Sequence, residues 1–250
     1  MSSLYSYPAE FYDALQSGVD YRAYCDFAIK TAEKFNMRPK TALDLACGTG
    51  AIAMELDKMS LDVTAVDISD EMLCVLYERI RKSGSDILVL CQDMRELDLN
   101  DTVDMAVCAL DGMNYLLDTK SLKKALERVY LFLSPGGVFI FDMNTEYKFR
   151  TIYGCRDYVL ENDGVLCAWQ NNYNPKTKKC DFILSFFEEC PDGRYQRFDE
   201  IQTERCYSKK TVFRLAREVG FEECGVYSDF DYSEVGDESE RMYFVLRKKG

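Results

Sequence analysis

Residues 41–50 read Thr-Ala-Leu-Asp-Leu-Ala-Cys-Gly-Thr-Gly, and Asp67 follows at the end of a second apolar run. The run at 42–46 predicts a short buried strand, and Gly48 and Gly50 predict a tight turn into a helix over 50–59. The second strand, over 61–66, ends in a lone acid. Glycines that let the backbone approach a ligand, followed by an acid that can bind ribose hydroxyls, indicate a nucleotide-binding βαβ unit.

Asp44 distinguishes between the cofactors that such a unit could hold. The spacing Gly48-x-Gly50-x-x-Ala53 also satisfies the dinucleotide fingerprint, so the glycines alone do not choose. A dinucleotide places its pyrophosphate on the helix N-terminus. The Asp44 carboxylate would repel it there, by roughly 4 kcal/mol for two unit charges at about 4 Å. S-adenosylmethionine (SAM) has no phosphate, and its methionyl end carries an ammonium and a sulfonium. The acid therefore favours SAM over NAD.

The segment from Asp44 to Gly50 resembles the first motif of the class I SAM-dependent methyltransferases, an acid followed by x-x-x-G-x-G. The resemblance continues in order as far as residue 139. Phe11-Tyr12-Asp13 and Val19-Asp20-Tyr21 also resemble a bacterial branch of small, mostly uncharacterised methyltransferases. Such an ordered series is more specific than any single motif. Its further segments are Asp67-Ile68-Ser69 with Met72, Gln92-Asp93-Met94-Arg95, Asp111 to Tyr115, and Ser134 to Phe139.

The resemblance implies an α/β, Rossmann-like fold that binds SAM. We expect a mostly parallel seven-stranded sheet with helices on both faces. Asp67 is expected to bind the ribose, and Asp93 with Met94 the adenine. Tyr12, Tyr21 and Tyr24 could close over the methionyl end, although packing of the N-terminal helices explains these aromatics equally well. The expected cofactor-binding residues are Tyr12, Tyr21, Asp44, Ala46, Gly48, Gly50, Asp67, Ile68, Met72, Asp93, Met94 and Leu110; no catalytic residue and no metal ligand is assigned.

Hydrophobic periodicity predicts strands that alternate with helices, which implies a parallel sheet with right-handed crossovers. Helices over 11–15 and 21–35 are expected ahead of the sheet. The predicted strands are at 42–46, 61–66, 86–91, 103–109 and 137–142, and the helices between them are at 50–59, 69–82 and 119–133.

Residues 152–207 break this alternation. Hairpin signals at Asp163-Gly164 and Asp192-Gly193, with a turn at Asn174-Pro175-Lys176, predict an antiparallel β meander inserted after the fifth strand. The α/β pattern resumes at 208. We therefore expect a SAM-binding domain over 1–151 and 208–250, and a substrate cover over 152–207 that secondarily offers a dimer surface. The meander strands are predicted over 165–173, 179–189 and 195–207, and the chain closes with a helix over 208–219 and strands over 221–229 and 241–247.

Four residues are candidates for the acceptor site. Asn114 and Tyr115 follow the fourth strand, where ligands bind in open α/β sheets. Trp169, the single tryptophan, could wall a pocket, although packing of the meander on the sheet also explains it. Glu204 shares one strand face with Glu200 and Gln202, either as solvated edge charges or as a polar pocket for a cationic or amine acceptor. The resembling branch often has a histidine near Gln202, and this chain has no histidine at all.

Composition excludes or disfavours several classes of function. The net charge is −12, and the densest basic groups lie at a probable turn and near residue 249, so RNA and DNA methylation are disfavoured. Asp111 to Tyr115 also lacks the Asn/Asp-Pro-Pro-aromatic signature of enzymes that methylate nucleic-acid amino groups. Without histidine, Ser–His and Cys–His nucleophiles are excluded. No apolar stretch is long enough to span a membrane, and eleven cysteines without a C-x-x-C pair fit a reducing cytoplasm.

The leading hypothesis is a cytoplasmic enzyme that transfers a methyl group from SAM to a small molecule. Methyl transfer from a sulfonium can proceed by alignment alone, so the missing histidine does not oppose it. One alternative is an NAD-dependent oxidoreductase or an aminopropyltransferase on a similar fold. A second is a non-catalytic SAM-binding regulatory protein whose acceptor pocket is filled by the meander.

Overall fold

The computed structural model describes residues 18–154, 156–162 and 164–250. Tyr12 and the helix predicted over 11–15 lie outside them. The described helices are α1 (Tyr21–Lys34), α2 (Ala51–Lys58), α3 (Asp70–Ser83), α4 (Thr119–Phe132) and α5 (Lys209–Val219). The strands are β1 (Thr41–Leu45), β2 (Asp62–Asp67), β3 (Leu88–Cys91), β4 (Val103–Cys108), β5 (Leu133–Asn144), β6 (Tyr158–Asn162), β7 (Val165–Asn174), β8 (Lys179–Glu189), β9 (Tyr195–Arg205), β10 (Glu222–Tyr227) and β11 (Arg241–Arg247).

The larger sheet has seven strands in the order β10-β11-β5-β4-β1-β2-β3. The five strands from β5 to β3 are parallel. β11 runs antiparallel to both β5 and β10. The mostly parallel seven-stranded sheet expected from the sequence is confirmed, and the two predicted closing strands are present in it.

Helices cover both faces of this sheet. Because strand side chains alternate between faces, Leu43 and Leu45 pack with α4 and α5, whereas Ala42 packs with α1, α2 and α3. The same alternation divides Phe139 from Ile140 on β5. Every β5 residue from Gly136 to Asn144 is buried, which explains why this strand reads as a continuous apolar run.

Local sequence signals fix the helix ends that lead into the site. The Ser69 hydroxyl accepts a hydrogen bond from the Met72 amide at 3.2 Å, and Asp70 and Glu71 occupy the first turn of α3. Both features stabilise a helix N-terminus. The Ser208 hydroxyl caps α5 by accepting from the Thr211 amide at 3.2 Å, and Gly220 ends this helix with φ +115°. These boundaries agree with the prediction because they depend on neighbouring residues alone.

The smaller sheet has four antiparallel strands in the order β6-β7-β8-β9 and follows β5 in the chain. The inserted antiparallel sheet is therefore confirmed, with two differences. β6 is an additional strand of only five residues, and a π-helical turn at Lys148–Tyr153 precedes it. β5 is also longer than predicted, because its pairing with β4 begins at Leu133 and shifts register before Val138.

Candidate active site

A cavity of about 440 Å³ opens where β1, β2, β3 and β4 end. The carboxyl ends of parallel strands meet at one edge of a sheet, which is where open α/β folds bind their ligands. The loops that follow these strands contribute residues 46–49, Ile68, residues 92–95 and Leu110 to the lining. Tyr21 of α1 and Ser121 of α4 complete opposite parts of the wall.

The turn between β1 and α2 has a backbone that favours small residues. Ala46, Gly48 and Gly50 all adopt positive φ, at +56°, +54° and +81°. A Cβ on Gly48 would meet nothing within 4 Å, whereas a Cβ on Gly50 would lie 2.2 Å from Cδ1 of Leu76. Gly48 therefore lets the turn approach a ligand, and Gly50 lets α2 approach α3.

Asp44 is buried in the cavity wall with an incomplete set of partners. It is 1% exposed, and one interaction is a hydrogen bond from the Ala53 amide in the first turn of α2. Its Oδ2 has no hydrogen-bond partner among the described residues. Burial raises the pKa of Asp44 to about 8, and the nearby Asp67 adds to the rise. A buried acceptor without a donor suits a cationic ligand group, so the site fits the ammonium of SAM.

Asp67 shapes the glycine turn from the end of β2. Its Oδ2 accepts a hydrogen bond from the Gly48 amide at 2.8 Å, and its Oδ1 accepts one from the Ser69 amide at 2.9 Å. Burial raises the pKa of this carboxyl, although the amide bonds oppose the rise. Each carboxylate oxygen has a further lone pair, so Asp67 can hold the turn and still accept from ribose hydroxyls.

Asp93 forms an ion pair at the far end of the cavity. The Arg95 amide and Nε donate to its Oδ1 at 2.8 and 2.9 Å, and the Arg95 guanidinium also bonds Oδ2. This guanidinium lowers the pKa of Asp93, so the carboxyl is ionised near neutrality. Arg95 lines the cavity, and the site prediction left it out although it belongs to the quoted segment.

Among the described residues, the structure gathers eleven of the predicted site residues around the cavity. Gly50, Asn114, Trp169 and Glu204 lie outside its lining. The N-terminal tyrosines separate: Tyr21 lines the cavity, whereas Tyr24 is buried behind it. The gathered residues are Tyr21, Asp44, Ala46, Gly48, Asp67, Ile68, Met72, Asp93, Met94, Leu110 and Tyr115.

Asn114 and Tyr115 connect the two sheets. The Asn114 side chain accepts from the Asn144 amide at 3.0 Å and donates to the Arg205 carbonyl at 2.8 Å. Tyr115 lines the cavity, and its hydroxyl donates to Oε1 of Gln202 at 2.7 Å. Asn114 is completely buried, and its side chain links β5 to β9. Tyr115 is at the cavity, so a bound ligand can contact it.

Trp169 and Glu204 both belong to the smaller sheet. Trp169 packs in an aromatic cluster with Tyr153, Tyr158 and Phe182. Glu204 is 3% exposed, and with Glu200 and Gln202 it forms a buried row on one face of β9. The solvated-edge interpretation of this row is therefore wrong, because the face lies against the ends of β4 and β5.

Sequence reasoning missed a buried ionic cluster beside the cavity. Arg241 pairs with Asp111 at 2.6 Å and also bonds Asp142, which is completely buried. Asp142 accepts from the Leu110 and Asp111 amides at 2.8 and 3.0 Å. Asp111 stood in a quoted motif, but its partners lie 31 and 130 positions away, and no local pattern joins them.

Comparison with known proteins agrees with this geometry. A methyltransferase-domain family matches residues 42–137. A protein of Geobacillus sp. strain WCH70 whose name describes it as a methyltransferase is 28% identical over 96% of this chain and 98% of its own length. A glycine/sarcosine N-methyltransferase of Halorhodospira halochloris is 29% identical over 75% of this chain and 68% of its own.

Solved structures extend the likeness to three dimensions. An S-adenosylmethionine-dependent methyltransferase from Clostridium acetobutylicum ATCC 824 is 30% identical and has a TM-score of 0.87, covering 96% of this chain and 97% of that one. SAM-bound CalS10, an amino pentose methyltransferase from Micromonospora echinaspora, shares the fold at 17% identity, with a TM-score of 0.76 over the whole of both chains. By its cavity, its fold and this relationship, the chain belongs to the class I SAM-dependent methyltransferases, enzymes that use SAM as cofactor.

Proposed function

We propose that this methyltransferase acts on a small-molecule acceptor that enters the cavity beside Tyr115. The observation that carries the proposal is the position of the smaller sheet, whose Gln202 bonds the hydroxyl of that cavity-lining tyrosine. Arg205 of the same strand donates to the Leu117 carbonyl at 3.0 Å, and Leu117 also lines the cavity. The inserted residues therefore cover the acceptor side, which suits a compact substrate better than a polymer.

Charge and relatedness support the same acceptor class. A net charge of −12 opposes binding to a nucleic-acid backbone. The relatives by name methylate glycine, sarcosine and an amino sugar nucleotide. We take residues 1–151 and 208–250 as the SAM-binding part and residues 152–207 as the substrate cover.

The proposed cofactor contacts use the cavity residues described above. Asp44 Oδ2 would accept from the ammonium, Asp67 from the ribose hydroxyls, and Asp93 from the adenine amino group. Met94 would add its backbone amide and thioether packing beside the adenine. SAM supplies an electrophilic methyl group, and the cover excludes water and aligns the acceptor with it.

Calorimetry tests the cofactor assignment. We expect SAM and S-adenosylhomocysteine to bind, and decarboxylated SAM and NAD to bind more weakly. Asp44→Asn should weaken SAM binding by about 1–3 kcal/mol, the range for charge-assisted contacts. Asp62→Asn, which changes an exposed acid at the other end of β2, is the matched control. A folded Asp44→Asn protein that keeps full SAM affinity or gains NAD affinity would overturn the assignment.

We also propose a cytoplasmic location and a homodimer. The ten described cysteines are all free, which supports a reducing cytoplasmic location. No helix in the described part of the chain is long and apolar enough to cross a membrane.

Val159 and Ile201 are 70% and 67% exposed on the smaller sheet, which supports this sheet as a homodimer surface. Sedimentation of the wild type and of Ile201→Glu tests the dimer.

A further inference from the structure

Five ionisable side chains meet where β4 and β5 end. Asp142 accepts two backbone amides and bonds Arg241. Asp111 has Arg241 on one side and lies between Leu110 and Gly112, which both line the cavity. Glu204 reaches the cluster from β9, and Lys148 lies close enough to act on the pKa of Asp111.

Glu204 and Asp111 share a hydrogen bond that requires a proton. Burial raises the pKa of Glu204 well above its usual value, and the neighbouring Asp111 raises it further. Burial also acts to raise the pKa of Asp111, but Arg241 and Lys148 lower it below the usual value. Glu204 is thus the protonated partner and donates to Asp111. With Arg241 and Lys148 balancing Asp111 and Asp142, the cluster has no excess charge.

A second observation points to a ligand. Asn144 is completely buried, and its Nδ2 donates to Oε2 of Glu204 at 3.0 Å. Its Oδ1 is on the same amide carbon and has no hydrogen-bond partner among the described residues. A buried acceptor without a donor is unfavourable. Asn144 Oδ1 is therefore an unmatched acceptor on a side chain that bonds Glu204, and Glu204 in turn bonds Asp111.

We propose that Asn144, Glu204 and Asp111 bind the amino group of the methyl acceptor, so that the substrate class is a primary or secondary amine. This inference rests on the proposed function. A primary ammonium has three N–H donors, one for each acceptor, and a secondary ammonium has two, whereas a hydroxyl has one and would leave two acceptors unmatched. When the ammonium enters, Glu204 releases its proton to solvent, and the cluster again has no excess charge.

The same carboxyl can prepare the amine for methylation. An ammonium has no free electron pair, so it must lose a proton first. One N–H bond breaks, its electron pair stays on nitrogen, and the proton passes to the Glu204 carboxylate. Glu204 then returns to the protonated form that it has without a ligand. A carboxyl whose pKa is raised towards that of the amine suits this exchange.

Thermal unfolding of the complex with S-adenosylhomocysteine tests the site without a known substrate. The probes are methylammonium, tetramethylammonium and sodium chloride at equal ionic strength. Methylammonium has three N–H donors, and tetramethylammonium has the same charge and none. We expect methylammonium alone to raise the Tm of the wild type, by about 2–4 °C at saturation. Equal Tm values in the three salts would overturn the proposal.

Two isosteric variants separate the site from a general salt effect. Glu204→Gln keeps the size and hydrogen bonding but cannot ionise, so its methylammonium shift should disappear. Glu200→Gln is the matched control, because Glu200 is also buried on this face of β9 but bonds Gln202 instead of the cluster. Its shift should equal that of the wild type. A shift that survives in Glu204→Gln, or that is lost in both variants, contradicts the assignment.

Labelled methyl transfer distinguishes this inference from the proposed function. The enzyme is incubated with SAM carrying an isotopically labelled methyl group and a pool of small metabolites, and products are identified by mass spectrometry. A label on nitrogen supports the amine site, and Glu204→Gln should reduce that product at least tenfold. A label on oxygen, carbon or sulfur overturns the amine site and leaves small-molecule methylation intact. No labelled product at all overturns the proposed function itself.

Discussion

At the scale of single residues, Asp44 is expected to bind the cofactor and to destabilise the protein without ligand. The buried Oδ2 of Asp44, which lacks a partner, is unfavourable in the empty protein, whereas the same atom is suited to a cationic ligand. Asp44→Asn is therefore expected to weaken SAM binding and to stabilise the protein without ligand. Functional sites commonly show such an exchange of stability for activity.

The pH dependence of stability tests this view of Asp44. Its pKa of about 8 in the folded state exceeds the value of 3.8 expected for an unperturbed carboxyl. Between these values the folded state binds more protons than the unfolded state, so this group lowers stability as pH rises. We expect the Tm of Asp44→Asn to exceed that of the wild type by a margin that grows from pH 5 to pH 8. A margin that does not change with pH would contradict the assignment.

Asp67 is expected to matter for both the cofactor and the turn. Asp67→Ala removes the acceptor of the Gly48 and Ser69 amides. We expect SAM binding to weaken by roughly 2–3 kcal/mol, the scale of hydrogen bonds to a charged group, and the Tm to fall. Calorimetry and thermal unfolding measure the two effects, with Asp62→Ala as the control on the same strand. Unchanged SAM affinity in Asp67→Ala would place the ribose elsewhere.

At the scale of elements, two glycines of one turn should respond differently to alanine. Both positions have positive φ, which strains any other residue by roughly 1–2 kcal/mol. Gly50→Ala also places a Cβ 2.2 Å from Leu76, and overpacking of this kind adds about 1–3 kcal/mol. Gly50→Ala should therefore lower the Tm more than Gly48→Ala. In a double-mutant cycle, Leu76→Ala should recover part of the Gly50→Ala loss, and strict additivity would rule out the clash.

Elements set by local signals agree closely with the sequence prediction. α4 was expected over 119–133 and occupies Thr119–Phe132, because Asp118 caps it and an apolar stripe continues to its end. β6 was not predicted, since its sequence Tyr-Val-Leu-Glu-Asn does not alternate between apolar and polar residues. The ionic cluster was not predicted either, because Asp111, Asp142, Glu204 and Arg241 are far apart in sequence and meet only once both sheets have formed. Helices and strands that depend on neighbouring residues could therefore be predicted from the sequence, whereas tertiary polar contacts could not.

At the scale of the whole molecule, a few polar contacts join the two sheets. Asn114 bonds both Asn144 and Arg205, and Tyr207 bonds the Leu116 carbonyl. Trp169 is the single tryptophan and lies in the smaller sheet. Its fluorescence therefore reports that sheet alone, whereas circular dichroism reports the whole chain.

Unfolding by urea should show how strongly these contacts couple the sheets. We expect coincident fluorescence and dichroism transitions for the wild type. In Asn114→Ala, which leaves two backbone groups without their partner, the Trp169 transition should move to lower urea than the dichroism transition. Asn172→Ala, at an exposed position of β7, is the control and should leave the transitions together. Coincident transitions in Asn114→Ala would show that the sheets unfold as one unit without this link.

The strand order has a consequence for biosynthesis. β11 lies between β10 and β5, so an interior position of the sheet is filled by a segment translated about a hundred residues after β5. Until Arg247 leaves the ribosome, the apolar strand β5 has an open edge that other chains can pair with. At about 5–20 residues per second, this interval lasts roughly 5–20 s after Asn144 is made. We expect the nascent chain to need protection of this edge over that interval, and a chain that terminates before Arg241 to be lost from the soluble fraction by aggregation or proteolysis.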